Sequence, residues 1–203
     1  MPLTPQEEAT IKTYDSIARD FAQRHGDRDF YRSELAKFKQ LLPEGKILEI
    51  GCGPGKDASD LITSGYEYVG IDPSKGLLEI ARENNPGVTF LEQNVEEMTF
   101  EPDSFDGFWA SAVLLHIPKD KINKALSRIH EVVKTGGIGF ISMHQGEGEE
   151  LRNNEKGERF FSYYSLTEFS RVLELNRFKI IEAKTKTEEN EKVWLYIFVE
   201  VVE

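Results

Sequence analysis

Three groups of residues have the types and spacing that chemistry needs. The first is the turn in KILEIGCGPGKDA, Lys46 to Ala58, where Gly51, Gly53 and Gly55 follow a short apolar run and two acids, Glu49 and Asp57, bracket them. Glycines in such a turn let a ligand lie directly against the backbone. The second is Asp72 in YVGIDPS, a position about 20 residues beyond the turn where an acid ending a strand accepts hydrogen bonds from ribose hydroxyls. The third is a pair of imidazoles, His116 and His144, each following a strand-like run. Either is placed to take a proton from a hydroxyl or protonated amine, and each has a plainer role as a helix cap or loop opener.

Spacing separates the cofactors that a glycine turn can hold. A P-loop needs glycine where this chain has Ile50 and Ser or Thr where it has Asp57. The dinucleotide pattern needs a third glycine at the position of Lys56. Charge points the same way, because a pyrophosphate seeks backbone N–H and a helix N-terminus without carboxylates beside it. S-adenosylmethionine (SAM) carries an ammonium and a sulfonium and no phosphate, and acids flanking the turn suit it.

The elements that must position these groups alternate along the chain. KILEI, YEYVGID, VTFLEQN, FDGFWAS and GGIGFISM are short, β-branched or aromatic, and bounded by turn residues, so they are expected strands. Helical periodicity falls between them at Asp57–Ser64, Ser74–Asn84 and Lys119–Lys134, the last expected to stop at Gly136 and Gly137. Two amphipathic helices precede the first strand, in QEEATIKTYDSIARDFAQRH and FYRSELAKFKQLL. Repeated strand and helix alternation implies an α/β fold with a parallel sheet covered on both faces. The C-terminal runs RFKIIEAKTKT and KVWLYIFVEVV flank EENE with no room for a helix and read as an antiparallel hairpin. Gln145–Glu158 reads as the principal loop, and RFFSYYS after it as an acceptor-pocket wall or core element.

Composition bounds the class. A chain of 203 residues suits one domain, 1–203, with lid helices over 1–44 and a binding core with the C-terminal hairpin over 45–203. A net charge of -11 with scattered Lys and Arg disfavours a nucleic-acid partner. One cysteine, no signal-peptide layout and no long apolar run lead to the expectation of a cytoplasmic protein, monomeric or homodimeric, without a membrane partner.

The order of landmarks resembles the class I SAM-dependent methyltransferases, specifically their small free-standing members. ILEIGCGPGKDA is similar to their first motif, GIDPS to the ribose-binding acid, LEQNVEEMTF to the adenine motif, FDGFWASAVLLHIP to the fourth-strand motif, and SRIHEVVKTGGIGFIS to the following helix and strand. The resemblance implies a Rossmann-like, doubly wound, seven-stranded sheet of order 3-2-1-4-5-7-6 with strand 7 antiparallel. It also implies SAM as cofactor and S-adenosyl-L-homocysteine as product, with no metal. The implied contacts are Gly51, Cys52 and Gly53 with the methionine part, Glu49 with its ammonium, and Asp72 and Pro73 at the ribose. Asn94 and Val95 would face adenine, Ala110 and Ser111 the methionine end, and Tyr14 would close over the cofactor. The family commonly has Asp where this chain has Asn94, whose carbonyl is still an acceptor for the adenine amino group.

Methyl transfer is an in-line displacement that asks for alignment and exclusion of water rather than a nucleophile triad. The leading expectation is therefore methylation of a small molecule. The N/D-P-P-Y/F signature of amino-group methylation is replaced here by SAVLLH. A SAM-binding protein without turnover and a nucleotide-dependent oxidoreductase are the competing readings.

Overall fold

Apolar and aromatic residues at alternate positions form the strands, and the computed structural model describes residues 3–25, 31–188 and 191–203. Strands β1 (Lys46–Ile50), β2 (Glu67–Asp72), β3 (Thr89–Glu92), β4 (Phe105–Ser111) and β5 (Val133–His144) pair in parallel. Helices α1 (Pro5–His25), α2 (Arg32–Leu41), α3 (Lys56–Thr63), α4 (Lys75–Asn84), α5 (Ile122–Val132) and α6 (Leu166–Leu175) complete the main frame. Strand β6 (Glu149–Asn154) pairs only with β7 (Gly157–Ser162), as a separate hairpin. Strand β9 (Val193–Val201) runs antiparallel between β5 and β8 (Phe178–Thr187). Among the described residues the main sheet has seven strands in the order β3-β2-β1-β4-β5-β9-β8. This is the expected order, with β9 and β8 in the places of strands 7 and 6.

Alternation along each strand feeds two apolar layers. On β4, Phe108 and Ala110 join the layer that α5 and α6 cover with Leu126, Ile129, Phe169 and Leu173. Trp109 between them joins the opposite layer, with Phe38 of α2, Leu61 of α3 and Leu78 of α4. Each fully buried Leu, Ile or Phe among them contributes about 1.5–3 kcal/mol of apolar burial. Both faces being covered explains why the parallel strands are nearly continuous in apolar residues.

Helix α1 is fastened at three levels. Glu7 accepts from Lys121 at 2.7 Å, and Lys121 also meets Glu96 at 3.1 Å, all three buried. Thr10 Oγ1 accepts from Phe160 N at 2.9 Å and Thr13 Oγ1 donates to Glu158 O at 2.7 Å. Asp15 accepts from Ser74 Oγ at 2.7 Å and Gly76 N at 2.9 Å, at the start of α4. The ion triplet holds only as a set, because losing one member leaves a buried charge uncompensated.

The structure corrects two expectations. Gln145–Glu158 is not principally a loop: β6 and the first residues of β7 occupy most of it, since the turn at 154–157 lets Asn154 pair with Gly157. Helix α5 stops at Val132, short of the two glycines, because Val133 already pairs with Phe105 of β4. Gly136 and Gly137 then fall inside β5, where the β4 register shifts. Phe30, at the start of the second expected helix, and Glu189 and Asn190 of the C-terminal turn lie outside the described residues.

Packing between β4 and β5 leaves no room at Gly107, where an added Cβ would stand 2.5 Å from Ile138 O. A backbone atom cannot move aside, so Gly107→Ala is expected to destabilise the fold by about 1–3 kcal/mol. Urea unfolding checks this, and an unchanged midpoint would contradict the close approach.

Candidate active site

The C-terminal ends of parallel strands are where doubly wound sheets bind ligands. Here they open into a cavity of about 560 Å³, of a size that takes a small ligand. The turn after β1 forms its floor. Gly51, Gly53 and Gly55 have φ of 67°, 53° and 76°, left-handed values that glycine adopts without strain. Gly51 N and Cys52 N donate to Ile71 O at 2.8 and 3.0 Å. Asp72 Oδ2 accepts from Gly53 N at 2.9 Å and its Oδ1 accepts from Ser74 N at 2.8 Å. One carboxylate thus ties the glycine turn to the end of β2.

Three acids line this end of the cavity: Glu49, Asp57 and Asp72. Tyr68 OH donates to Glu49, and Trp109 Nε1 donates to Asp57 Oδ2 at 2.9 Å. Burial, reinforced by Asp57 and opposed by the Tyr68 bond, pushes the Glu49 carboxyl well above the usual range. Burial raises Asp57 as well, against the Trp109 bond and neighbouring Lys56. Asp72 is pushed up to about 6 by burial, despite its two backbone donors. Three acids that resist ionisation together, Glu49 and Asp72 buried and Asp57 half-buried, make a site that gains from a bound cation. Burial and the same acids push the Cys52 thiol up, so it is a turn residue rather than a nucleophile.

The opposite wall carries the imidazoles. His116 Nδ1 lies 2.6 Å from Phe160 O, and its Nε2 lies 3.0 Å from Tyr14 OH. A carbonyl only accepts, so Nδ1 carries the proton and Nε2 accepts from the phenol. Burial lowers His116 to about 4, with Arg159 and His144 adding to the effect and the Phe160 bond opposing it. His144 stacks on Trp194 at 3.8 Å between ring centroids, and burial lowers it to about 4, helped by Lys192 and Arg152. Both rings are neutral bases at physiological pH.

The cavity brings together Tyr14, Glu49, Gly51, Cys52, Gly53, Asp72, Pro73, Asn94, Val95, Ser111, His116 and His144. Ala110 is not among its walls; it is fully buried in the layer under α5, because its neighbour Ser111 takes the cavity-facing position on β4. Asn94 differs in detail: its Oδ1 already accepts from Glu97 N at 3.0 Å, capping its own turn. The cavity wall also takes Arg152, Lys156, Arg159 and Phe161 from the β6–β7 hairpin and Trp194 from β9. Arg152 and Lys156 fall within Gln145–Glu158, where the turn-forming NEKG flanked by strand-length runs is a hairpin signal; Arg159, just beyond it, has by its type alone two readings, a clamp for a substrate carboxylate or a solvated loop arginine. Tyr164, a candidate wall residue, instead packs on Phe169 in the core.

The tautomer assignment has a direct readout. His116 is expected to show the Nδ1-protonated neutral form in nitrogen NMR at every pH from about 5.5 to 8, as burial dictates. A titration midpoint near the ordinary imidazole value would contradict it.

Parts of this chain are similar to known proteins. The family described as a methyltransferase domain matches residues 47–137, from β1 to the first part of β5. An uncharacterized methyltransferase of Oceanobacillus iheyensis is 28% identical over 134 residues, 62% of each chain. The trans-aconitate 2-methyltransferase of Rhodopseudomonas palustris is 35% identical over 114 residues, 55% of this chain and 43% of that one. The match thus spans less than two thirds of the length of either relative. Among solved structures, a 1,6-didemethyltoxoflavin-N1-methyltransferase of Burkholderia thailandensis superposes with a TM-score of 0.80 at 21% identity, covering 100% of this chain and 93% of that one. That likeness is one of fold. The matched domain over residues 47–137, the sheet order and the acid-bracketed glycine turn together support a class I SAM-dependent methyltransferase.

Proposed function

We propose that this chain transfers a methyl group from SAM to a small-molecule acceptor. The observation that carries the reading is the set of acids, Glu49, Asp57 and Asp72, around a glycine turn in a cavity that also holds two neutral imidazoles. A phosphate-bearing cofactor is repelled by that floor, and an amino acid with an ammonium is stabilised by it. When bound, SAM supplies a methyl carbon activated by its sulfonium.

The chain's own groups divide the work of holding it. Gly51 to Gly53 offer close backbone, and Glu49 answers the ammonium. Asp72 keeps lone pairs for the ribose hydroxyls beyond the two it gives to Gly53 and Ser74. Val95, buried on the cavity wall, and Asn94 border the adenine. The core over 45–203 carries these contacts, and the helices of 1–44 roof the site through Tyr14. For an acceptor that must lose a proton, Tyr14 and His116 form a relay: the phenol oxygen takes the proton while its own passes to His116 Nε2, at 3.0 Å.

The size of the cavity supports a small acceptor, and the trans-aconitate and 1,6-didemethyltoxoflavin methyltransferases, both named for small acceptors, agree with it. A silent SAM-binding role is separated by a tritiated-methyl assay on a metabolite extract. Labelled product is the expected result, and none with confirmed SAM binding would favour the silent role.

Two measurements test the cofactor placement. Calorimetry should find SAM bound and Asp72→Ala weakened at least tenfold, since a buried charged acceptor is removed; unchanged affinity would refute the assignment. The pH dependence has a definite sign. Asp72 is protonated below about 6, and a cationic ligand favours its ionised form, so binding releases protons and affinity falls as pH drops through 6. Affinity that is flat or rising toward pH 5 would refute the role of these acids.

A further inference from the structure

Across the β6–β7 hairpin, Arg152 and Arg159 stand directly opposite each other in an antiparallel pair. Both line the cavity. Like charges in that relation destabilise a hairpin, and a two-stranded hairpin has little stability to spare. Their placement needs a reason outside the hairpin itself.

The guanidinium groups share one aromatic ring, lying 4.9 and 5.6 Å from the Phe161 centroid, and Arg159 also sits 5.7 Å from that of Tyr14. Stacking holds both planes in place while leaving their N–H edges for a ligand. Arg152 is partly engaged, by Glu150 at 3.1 Å and Tyr163 OH at 2.8 Å. Arg159 meets the Tyr14 hydroxyl, but among the described residues no carboxylate pairs with it and its Nε is buried without an acceptor. An unsatisfied buried N–H on a cation is costly unless a ligand completes it. A second orphan donor, Trp194 Nε1, belongs to the same cavity wall.

The charge is divided within the cavity. The acids Glu49, Asp57 and Asp72 stand with Lys56 around the glycine turn and the end of β2, while the hairpin contributes Arg152, Arg159 and Lys156 beside imidazoles that carry no charge, and Glu188 and Lys192 line the wall as well. Glu7 and Glu96, which also border the cavity, are neutralised by Lys121 and Lys124. A cation is suited to one end and an anion to the other.

We propose that the methyl acceptor is a small organic oxyanion, bearing a carboxylate or a phosphate, and that Arg152 and Arg159 are its docking pair. A guanidinium offers two parallel N–H groups to such an oxyanion, and two guanidinium groups facing one another enclose it from both sides. The acceptor role rests on the methyltransferase reading; the anion site rests on the hairpin geometry alone.

The test loads the full-length protein with S-adenosyl-L-homocysteine, confirms that step by calorimetry, and then titrates benzoate, succinate, citrate and phenyl phosphate, with benzamide and succinamide as neutral counterparts. At least one of the anions is expected to bind, and the neutral compounds are not. Comparing the carboxylates with the phosphate identifies which oxyanion is favoured. Arg159→Gln should weaken that binding at least tenfold and leave homocysteine-product affinity within twofold. Arg152→Gln should weaken it as well. Thermal unfolding controls for folding, since removing one of two opposed like charges should leave the midpoint equal or higher. Failure to bind any of the anions, equal binding of the amides, or anion affinity unchanged in Arg159→Gln would overturn the proposal. Failure to bind S-adenosyl-L-homocysteine would instead count against the methyltransferase reading, and anion binding to the unloaded protein would then still decide the docking pair.

Discussion

Burying carboxylates at the edge of a parallel sheet is the constraint around which this molecule is arranged. Glu49 is 2% exposed and Asp72 7%, and each accepts hydrogen bonds from another part of the chain. Tyr68 is on β2 and donates to Glu49 on β1, so the acid also helps to join the strands that carry the site. Asp72 joins the glycine turn to the start of α4. The groups that shape the floor are therefore also those that suffer most from burial, which is how a functional site stores unfavourable electrostatics that a ligand relieves.

Helix α1 makes the roof possible. Its contacts to Lys121, to β7 and to α4 reach three separate parts of the chain, and Tyr14 comes to His116 only because all three hold. The hairpin that α1 clamps carries the cationic wall. The cavity is thus closed by elements lying outside the main sheet, and its two ends differ in sign because one is built from strand termini and the other from the hairpin. This separation lets a strongly acidic chain set three cations, Arg152, Lys156 and Arg159, on one cavity wall.

The strands, the sheet order, the glycine turn and Asp72 were legible because each rests on local rules: alternation, turn chemistry, or a fixed offset between adjacent elements. The β6–β7 hairpin was not, because its strands are rich in polar residues and gain their stability from contact with α1 through Thr10 and Thr13. Reading Gly136 and Gly137 as a helix stop failed for a similar reason, since pairing of Val133 with β4 ended the helix first. Ala110 and Ser111 are adjacent, and only the strand's facing decides which of them meets the cavity.

The amino-acid sequence by itself determined that glycine backbone and acids would meet at one turn, because those residues are neighbours along the chain and no packing is needed to bring them together. It also determined the doubly wound sheet, through the regular alternation of strand and helix patterns. Only the tertiary structure set the Phe160 carbonyl against His116 Nδ1, fixing its tautomer with Tyr14 on the other nitrogen, and brought Arg152 and Arg159 to face one another beside it. Those relations link positions far apart in sequence, and they depend on helix docking and strand register, which no local pattern of residue types specifies.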